Sequence, residues 1–80
     1  MNRLGFLILS ILSKSEAYDK ASAMTVREIA DAEDFGYKDD TIYKKIRDFI
    51  SGGYVSPGYK EGKQNTFFIT EKGKELLKEA

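Results

Sequence analysis

The 80-residue sequence predicts an α+β fold, and three observations carry that expectation. Apolar residues recur at helical spacing in the stretches 2–13, 25–32 and 39–51, with a fourth, shorter helix expected over 71–79. Two β-prone runs, 54–56 and 66–69, flank a polar stretch that begins with Pro57-Gly58, which is the pattern of a hairpin. Thr25, Asp39 and Thr70 each stand at the expected start of a helix, where a short side-chain oxygen can accept from an otherwise unpaired backbone N–H.

The first helix, Asn2 to Ser13, is apolar around nearly its whole circumference. Leu4, Leu7, Ile8 and Ile11 share one face, and Phe6, Leu9 and Leu12 lie on adjoining ones. A small domain has difficulty covering so much apolar surface, so the excess predicts either a central helix or a second copy packed on Leu4, Leu7, Ile8 and Ile11. We take the second as the expectation, a homodimer. The run is too short and too interrupted for a membrane span or a secretory leader, and a cytoplasmic core helix is the better reading.

Ser15 to Ala23 has no periodicity and reads as a loop. Thr25 to Ala32 restarts helical spacing with Val26, Ile29 and Ala30 inward, and Thr25 with Glu28 has the spacing of a capping box. Glu33 to Tyr37 supplies a turn containing Gly36. Asp39 then caps a helix running to Ser51, with Ile42, Ile46, Phe49 and Ile50 inward, and Gly52-Gly53 ends it. The hairpin has a long polar tip carrying Lys60 and Lys63. Thr70 caps the last helix, whose Leu76 and Leu77 return to the core. Phe49, Tyr54, Phe67 and Phe68 cluster at the helix-to-strand junction and are expected in the core rather than as a stacking platform.

Composition narrows the function. With no cysteine there is no disulfide, thiol nucleophile or thiolate metal site, and with no histidine the usual zinc ligand and neutral-pH base are missing. No cofactor or metal is expected, and no enzyme, since paired carboxylates such as Asp39-Asp40 are also ordinary turn and cap residues. The formal net charge is zero but unevenly divided. Residues 1–14 carry +2, residues 15–37 carry −4, residues 38–63 carry +2, and residues 64–80 balance. The basic excess in the second half coincides with the third helix and the hairpin.

The order of elements resembles a winged helix-turn-helix. Met24-Thr25-Val26-Arg27-Glu28-Ile29-Ala30 resembles the second helix of that family, and the segment from Thr41 through Ile50-Ser51-Gly52-Gly53-Tyr54-Val55 resembles its recognition helix running into the wing. Phe68-Ile69-Thr70-Glu71-Lys72-Gly73-Lys74-Glu75-Leu76-Leu77 resembles its close. The triplet Thr41-Ile42-Tyr43 is most similar to PadR-like transcription regulators, with MarR-like proteins next, and the likeness spans nearly the whole chain. The resemblance implies one domain over residues 1–80, built as a three-helix core with a two-stranded β-hairpin wing and a C-terminal helix. It implies binding to double-stranded DNA by a recognition helix, 39–51, and a wing, 54–69, and action as a transcription regulator that represses by occluding a promoter. PadR-like regulators usually add a helical dimerisation region after the wing, a role that within these residues falls to the first or last helix.

A helix fits the major groove, where outward side chains meet base edges and phosphates. The candidate DNA-binding residues are Lys38, Thr41, Tyr43, Lys44, Lys45 and Arg47 on or beside the third helix, with Lys60 and Lys63 on the wing. Arg47 suits a bidentate guanine contact, Lys44 a guanine or a phosphate, and the hydroxyls of Thr41 and Tyr43 either partner. Capping and the positive helix N-terminus are sufficient to explain Asp39 and Asp40 at the start of that helix, the lesser reading being that one of them accepts a hydrogen bond from cytosine N4. The rival reading is a winged helix that binds protein instead of DNA, favoured by the neutral charge and the acidic stretch from Glu16 to Asp34.

Overall fold

The computed structural model describes residues 1–33 and 36–80, so Asp34 and Phe35 of the expected turn lie outside the described residues. Along the chain come α1 (Arg3–Lys14), β1 (Met24–Thr25), α2 (Val26–Ala32), α3 (Asp39–Gly52), β2 (Val55–Pro57), β3 (Thr66–Ile69) and α4 (Glu71–Glu79). The strands form one antiparallel sheet in the order β1-β3-β2. The hairpin is as expected, but a third strand joins it: Met24 pairs with Phe67 and Thr25 with Thr66. A two-residue strand has no periodicity of its own and exists because β3 offers it a free edge.

Helix α1 is the centre of the molecule, touching α2, α3, α4 and β3. Asn2 starts it, its Oδ1 accepting from Gly5 N at 2.9 Å. The buried face runs through Leu4, Gly5, Ile8, Leu9, Ile11 and Leu12. Compared with the expected face it is rotated toward Leu9 and Leu12, leaving Leu7 only half-buried. Gly5 explains the rotation: a Cβ there would stand 2.9 Å from Phe49 Cζ, so α3 approaches α1 where the side chain is missing. Leu4, Ile8 and Ile11 are 7%, 0% and 3% exposed, taken up by the protomer's own core together with Ile29, Ile42, Ile46, Phe49, Val55, Phe67 and Ile69. They therefore offer no surface to a second copy, which corrects their assignment to a dimer interface. Of that set only Leu7 retains surface.

Local chemistry sets the helix ends. Thr25 Oγ1 accepts from Glu28 N at 3.1 Å while Glu28 Oε1 accepts from Thr25 N at 2.9 Å, the capping box that its spacing indicates. Thr70 Oγ1 accepts from Gly73 N at 3.1 Å and starts α4. Helix α3 differs from expectation, because Lys38 is the residue before its first turn and makes no side-chain cap bond. Asp39 lies one position inside the helix, where its carboxylate is held by Arg27 instead. At the other end Gly53 takes the left-handed conformation, φ +81°, as the glycine pair suggests.

The loop between α1 and β1 is tied down at several points. Ala17 is fully buried and its carbonyl accepts from Ile69 N at 2.9 Å. Asp19 Oδ1 accepts from Ser22 N and from Ser22 Oγ, both at 2.9 Å. The backbone N–H of Ser22, then its hydroxyl, hold the Asp19 carboxyl below its ordinary value. The wing tip is also more regular than a long polar loop. Glu61 and Gln64 bridge each other through N–H to carbonyl bonds of 2.9 and 3.0 Å, leaving Gly62 and Lys63 as a two-residue turn.

Two expected outcomes follow from this packing. At Gly73 a Cβ would stand 2.2 Å from the Tyr54 carbonyl oxygen and 2.7 Å from Ile69 Cγ1. Gly73→Ala should destabilise the fold by about 3 kcal/mol, seen as a lower midpoint of urea unfolding by circular dichroism, and an unchanged midpoint would show that the junction can open. The lowered pKa of Asp19 means its bonds to Ser22 contribute fully above the ordinary aspartate range and are lost as pH falls through the folded-state value. In an NMR titration the Ser22 amide shift should move with a midpoint below that of a free aspartate, and a midpoint at the free value would refute the turn.

Candidate nucleic-acid interface

The sequence of α3 makes it amphipathic, and its buried side (Ile42, Ile46, Phe49) fixes which residues point outward. Asp40, Lys44, Arg47 and Ser51 are exposed and follow one another at three- and four-residue steps, so they form a line along the solvent side. Lys44, Arg47, Asp48 and Ser51 border a shallow depression on this side. Tyr43 stands on the flank toward the sheet, its ring 6.2 Å from that of Phe67, and the Arg47 guanidinium lies 5.9 Å from the Tyr43 ring centre. Thr41 is exposed, as are Lys38, Lys60 and Lys63.

Lys45 departs from the expected set. It is half-buried, with its ammonium 5.1 Å from the Phe49 ring centre and its stem beside Gly5 of α1. One hundred degrees of helical rotation separates successive residues, which carries Lys45 off the outward line and onto the flank toward α1.

Between α3 and the wing runs an open groove of about 510 Å³. One wall is Asp39, Asp40 and Tyr43, the other is Lys63, Gln64 and Asn65, and Thr25 to Arg27 close the end over a floor at Phe67. The fold thus brings Tyr43 and Lys63 together across 20 residues of sequence. Lys60 lies beyond the Glu61–Gln64 bridge on the other arm of the tip.

Arg27, Gln64 and Asn65 are the groove residues that sequence reasoning passes over. Arg27 Nη1 meets Asp39 Oδ2 at 3.1 Å and Nη2 meets Asp31 Oδ1 at 2.9 Å, joining α2 to the first turn of α3. The contact to Asp31 has readable i,i+4 spacing, but the one to Asp39 joins residues twelve apart on different helices. Both pairs are more than 40% exposed, so they orient side chains more than they stabilise the fold. By contrast, Asp40, Lys44, Arg47, Lys60 and Lys63 take part in no ion pair among the described residues.

Chemically, this surface offers a guanidinium, three ammonium groups, a phenol and amide side chains, which are donors suited to phosphate oxygens and to the acceptors of base edges. Among the described residues it also carries carboxylates in no ion pair, Asp40 in the first turn of α3, Asp48 further along that helix and Glu61 at the wing tip. Among the described residues no helix is long and apolar enough to cross a membrane.

No protein-family model matches the chain, and no curated protein matches it. Solved structures do. TubR from Bacillus megaterium aligns with a TM-score of 0.81 at 20% identity, over 98% of this chain and 83% of that one. The DNA-binding TubR fragment from Clostridium botulinum aligns with a TM-score of 0.75 at 26% identity, over 99% and 95% of the two chains. A PadR family transcription regulator from Clostridium difficile aligns with a TM-score of 0.74 at 20% identity, over 96% and 81%. With α1 at the centre, α2 followed by α3, and a hairpin leading into α4, the chain has the winged-helix fold of these proteins.

Proposed function

We propose that the protein binds double-stranded DNA in a sequence-specific manner and acts as a transcription regulator, a repressor in the simplest case, in the cytoplasm and without catalytic activity. The observation that carries this reading is the exposed line of α3. Lys44 and Arg47 stand there without ion-pair partners among the described residues, beside a wing whose Lys60 and Lys63 likewise have none among them. A helix of 14 residues is long enough to lie in a major groove while an adjoining hairpin reaches the backbone or the minor groove. The likeness to a DNA-binding TubR fragment and to a PadR family transcription regulator supports the same reading.

In this arrangement Arg47 and Lys44 donate to guanine or phosphate, Tyr43 and Thr41 donate through their hydroxyls, and Lys38, Lys60 and Lys63 neutralise phosphates. Lys45 contributes only through its distant charge. A homodimer would present two α3 helices to half-sites about one helical turn apart. With Leu4, Ile8 and Ile11 enclosed, its contact at α1 falls to Phe6 and Leu7 together with Met1 just before the helix, Met1 and Phe6 being 53% and 42% exposed.

Fluorescence anisotropy on a random-sequence duplex tests the main reading. Wild type should bind more weakly as salt rises, and a Lys44→Ala, Arg47→Ala double variant should lose about two units of the log–log salt slope, at roughly 0.9 per phosphate neutralised. Absence of binding at low salt would instead favour the protein-binding alternative, to which the unpaired Asp40 lends some weight. Sedimentation velocity should show a dimer that Phe6→Glu converts to monomer, and a wild-type monomer at high concentration would remove the dimer from the proposal.

A further inference from the structure

The segment Lys20–Ala23 packs against the wing, on the side away from α3. Successive strand residues point to opposite faces, so Phe67, which meets Tyr43 of α3, and Thr66 face opposite ways. The Thr66 hydroxyl donates to the Tyr59 carbonyl, and Tyr59 N donates to the Lys20 carbonyl at 3.2 Å. Gly58 permits this closeness: a Cβ there would stand 2.3 Å from Ala23 Cβ, 2.8 Å from Thr66 Oγ1 and 2.9 Å from the Lys20 carbonyl oxygen. The Lys20 ammonium lies 5.9 Å from the centre of the Tyr59 ring, itself 66% exposed.

Lys20 therefore joins Lys60 and Lys63 as a third cation at the wing, brought there from forty residues upstream. None of the three enters an ion pair among the described residues. The nearby anions are Asp19, whose carboxylate is turned onto Ser22, and Glu61 at the tip. A hairpin lying along a minor groove has one phosphate strand on each side. Lys63 stands on the α3 side, where it lines the groove with Asp40 and Tyr43, whereas Lys20 stands beside Tyr59 on the opposite face, with Lys60 on the other arm of the tip.

We propose that Lys20 is a DNA-contacting residue that neutralises a phosphate on the far side of the wing, with Tyr59 as the surface that holds its side chain in place. The proposal rests on the DNA-binding reading and adds to it an element outside both the recognition helix and the hairpin.

The test is the salt dependence of binding to a random-sequence duplex, measured for wild type, Lys20→Gln, Lys20→Arg and Lys60→Gln, with the urea-unfolding midpoint of each. Lys20→Gln should lower the log–log slope by about 0.9, as one lost phosphate contact does, and leave the unfolding midpoint in place. Lys20→Arg should restore the slope. A Lys20→Gln slope equal to wild type, with Lys60→Gln lowered, would overturn the assignment while leaving DNA binding intact. A lowered midpoint with an unchanged slope would also overturn it, showing a structural clamp only. If wild type binds at no salt concentration, the DNA reading itself fails and the role of Lys20 with it.

Discussion

Helix α3, the wing and α4 meet where the backbone of Gly73 lies on the backbone of Tyr54, and the relation of recognition helix to wing depends on that approach. Three bonds converge there. Thr70 N donates to the Tyr54 carbonyl at 3.1 Å, Thr70 Oγ1 donates to the Gly53 carbonyl at 2.6 Å, and Tyr54 N donates to the Phe49 carbonyl at 2.9 Å. The Lys72 ammonium reaches the Gly52 carbonyl at 2.7 Å and lies 4.7 Å from the Tyr54 ring centre, placing a cation at the negative end of α3. The end of α3 is thus joined to Thr70, the residue that caps α4, and to the strand leading into the wing. Neither can turn without breaking bonds to the other.

The groove follows from this geometry. With its C-terminal end held at the junction, α3 runs alongside the sheet so that Tyr43 reaches Phe67, and the space beyond that contact is the groove edged by Lys63 and Asp40. The far end of α3 is held separately, by the Arg27 guanidinium between Asp31 and Asp39. One end is therefore fixed by backbone bonds in a partly buried junction and the other by ion pairs in water. The second is weaker and sensitive to salt.

What was legible in the sequence was what depends on neighbours three or four residues away. The Thr25–Glu28 capping box, the Thr70 cap, the Gly53 terminus and the inward line Ile42, Ile46, Phe49 are local patterns with one physical meaning. The misreadings concern partners far along the chain. Helical spacing marks Leu4, Ile8 and Ile11 as apolar, but whether a neighbour in the same molecule or a second copy covers them depends on how α2, α3, α4 and β3 surround α1. Asp39 has the composition of a cap and a different partner, because Arg27 lies twelve residues away on the preceding helix. Strand β1 could not be read from two residues. Of the candidate site, the exposed part of α3 was legible because its complement is core, while Lys45 and Arg27 needed the packing of neighbouring helices to place them.

The zero net charge is compatible with a positively biased face because anions and cations are not used alike. Much of the acidic segment 15–37 is engaged locally: Asp19 by Ser22, Glu28 by the Thr25 cap, Asp31 by Arg27, and Glu33 by Lys14 at 3.6 Å. The cations at the wing and on α3 are not neutralised in this way, and at a Debye length of about 8 Å in physiological salt a side chain feels mainly its immediate neighbours. Among the described residues three carboxylates on this surface enter no ion pair: Asp40 and Asp48, on the same side of α3 as Lys44 and Arg47, and Glu61 at the wing tip. The two on α3 matter most for the recognition helix. Two negative charges within a helical turn of two positive ones weaken attraction to any uniform polyanion. They do so without weakening the directional donation of a guanidinium to a base edge. Under the DNA-binding reading, such a surface gives up non-specific affinity and depends more on contacts that differ between sequences.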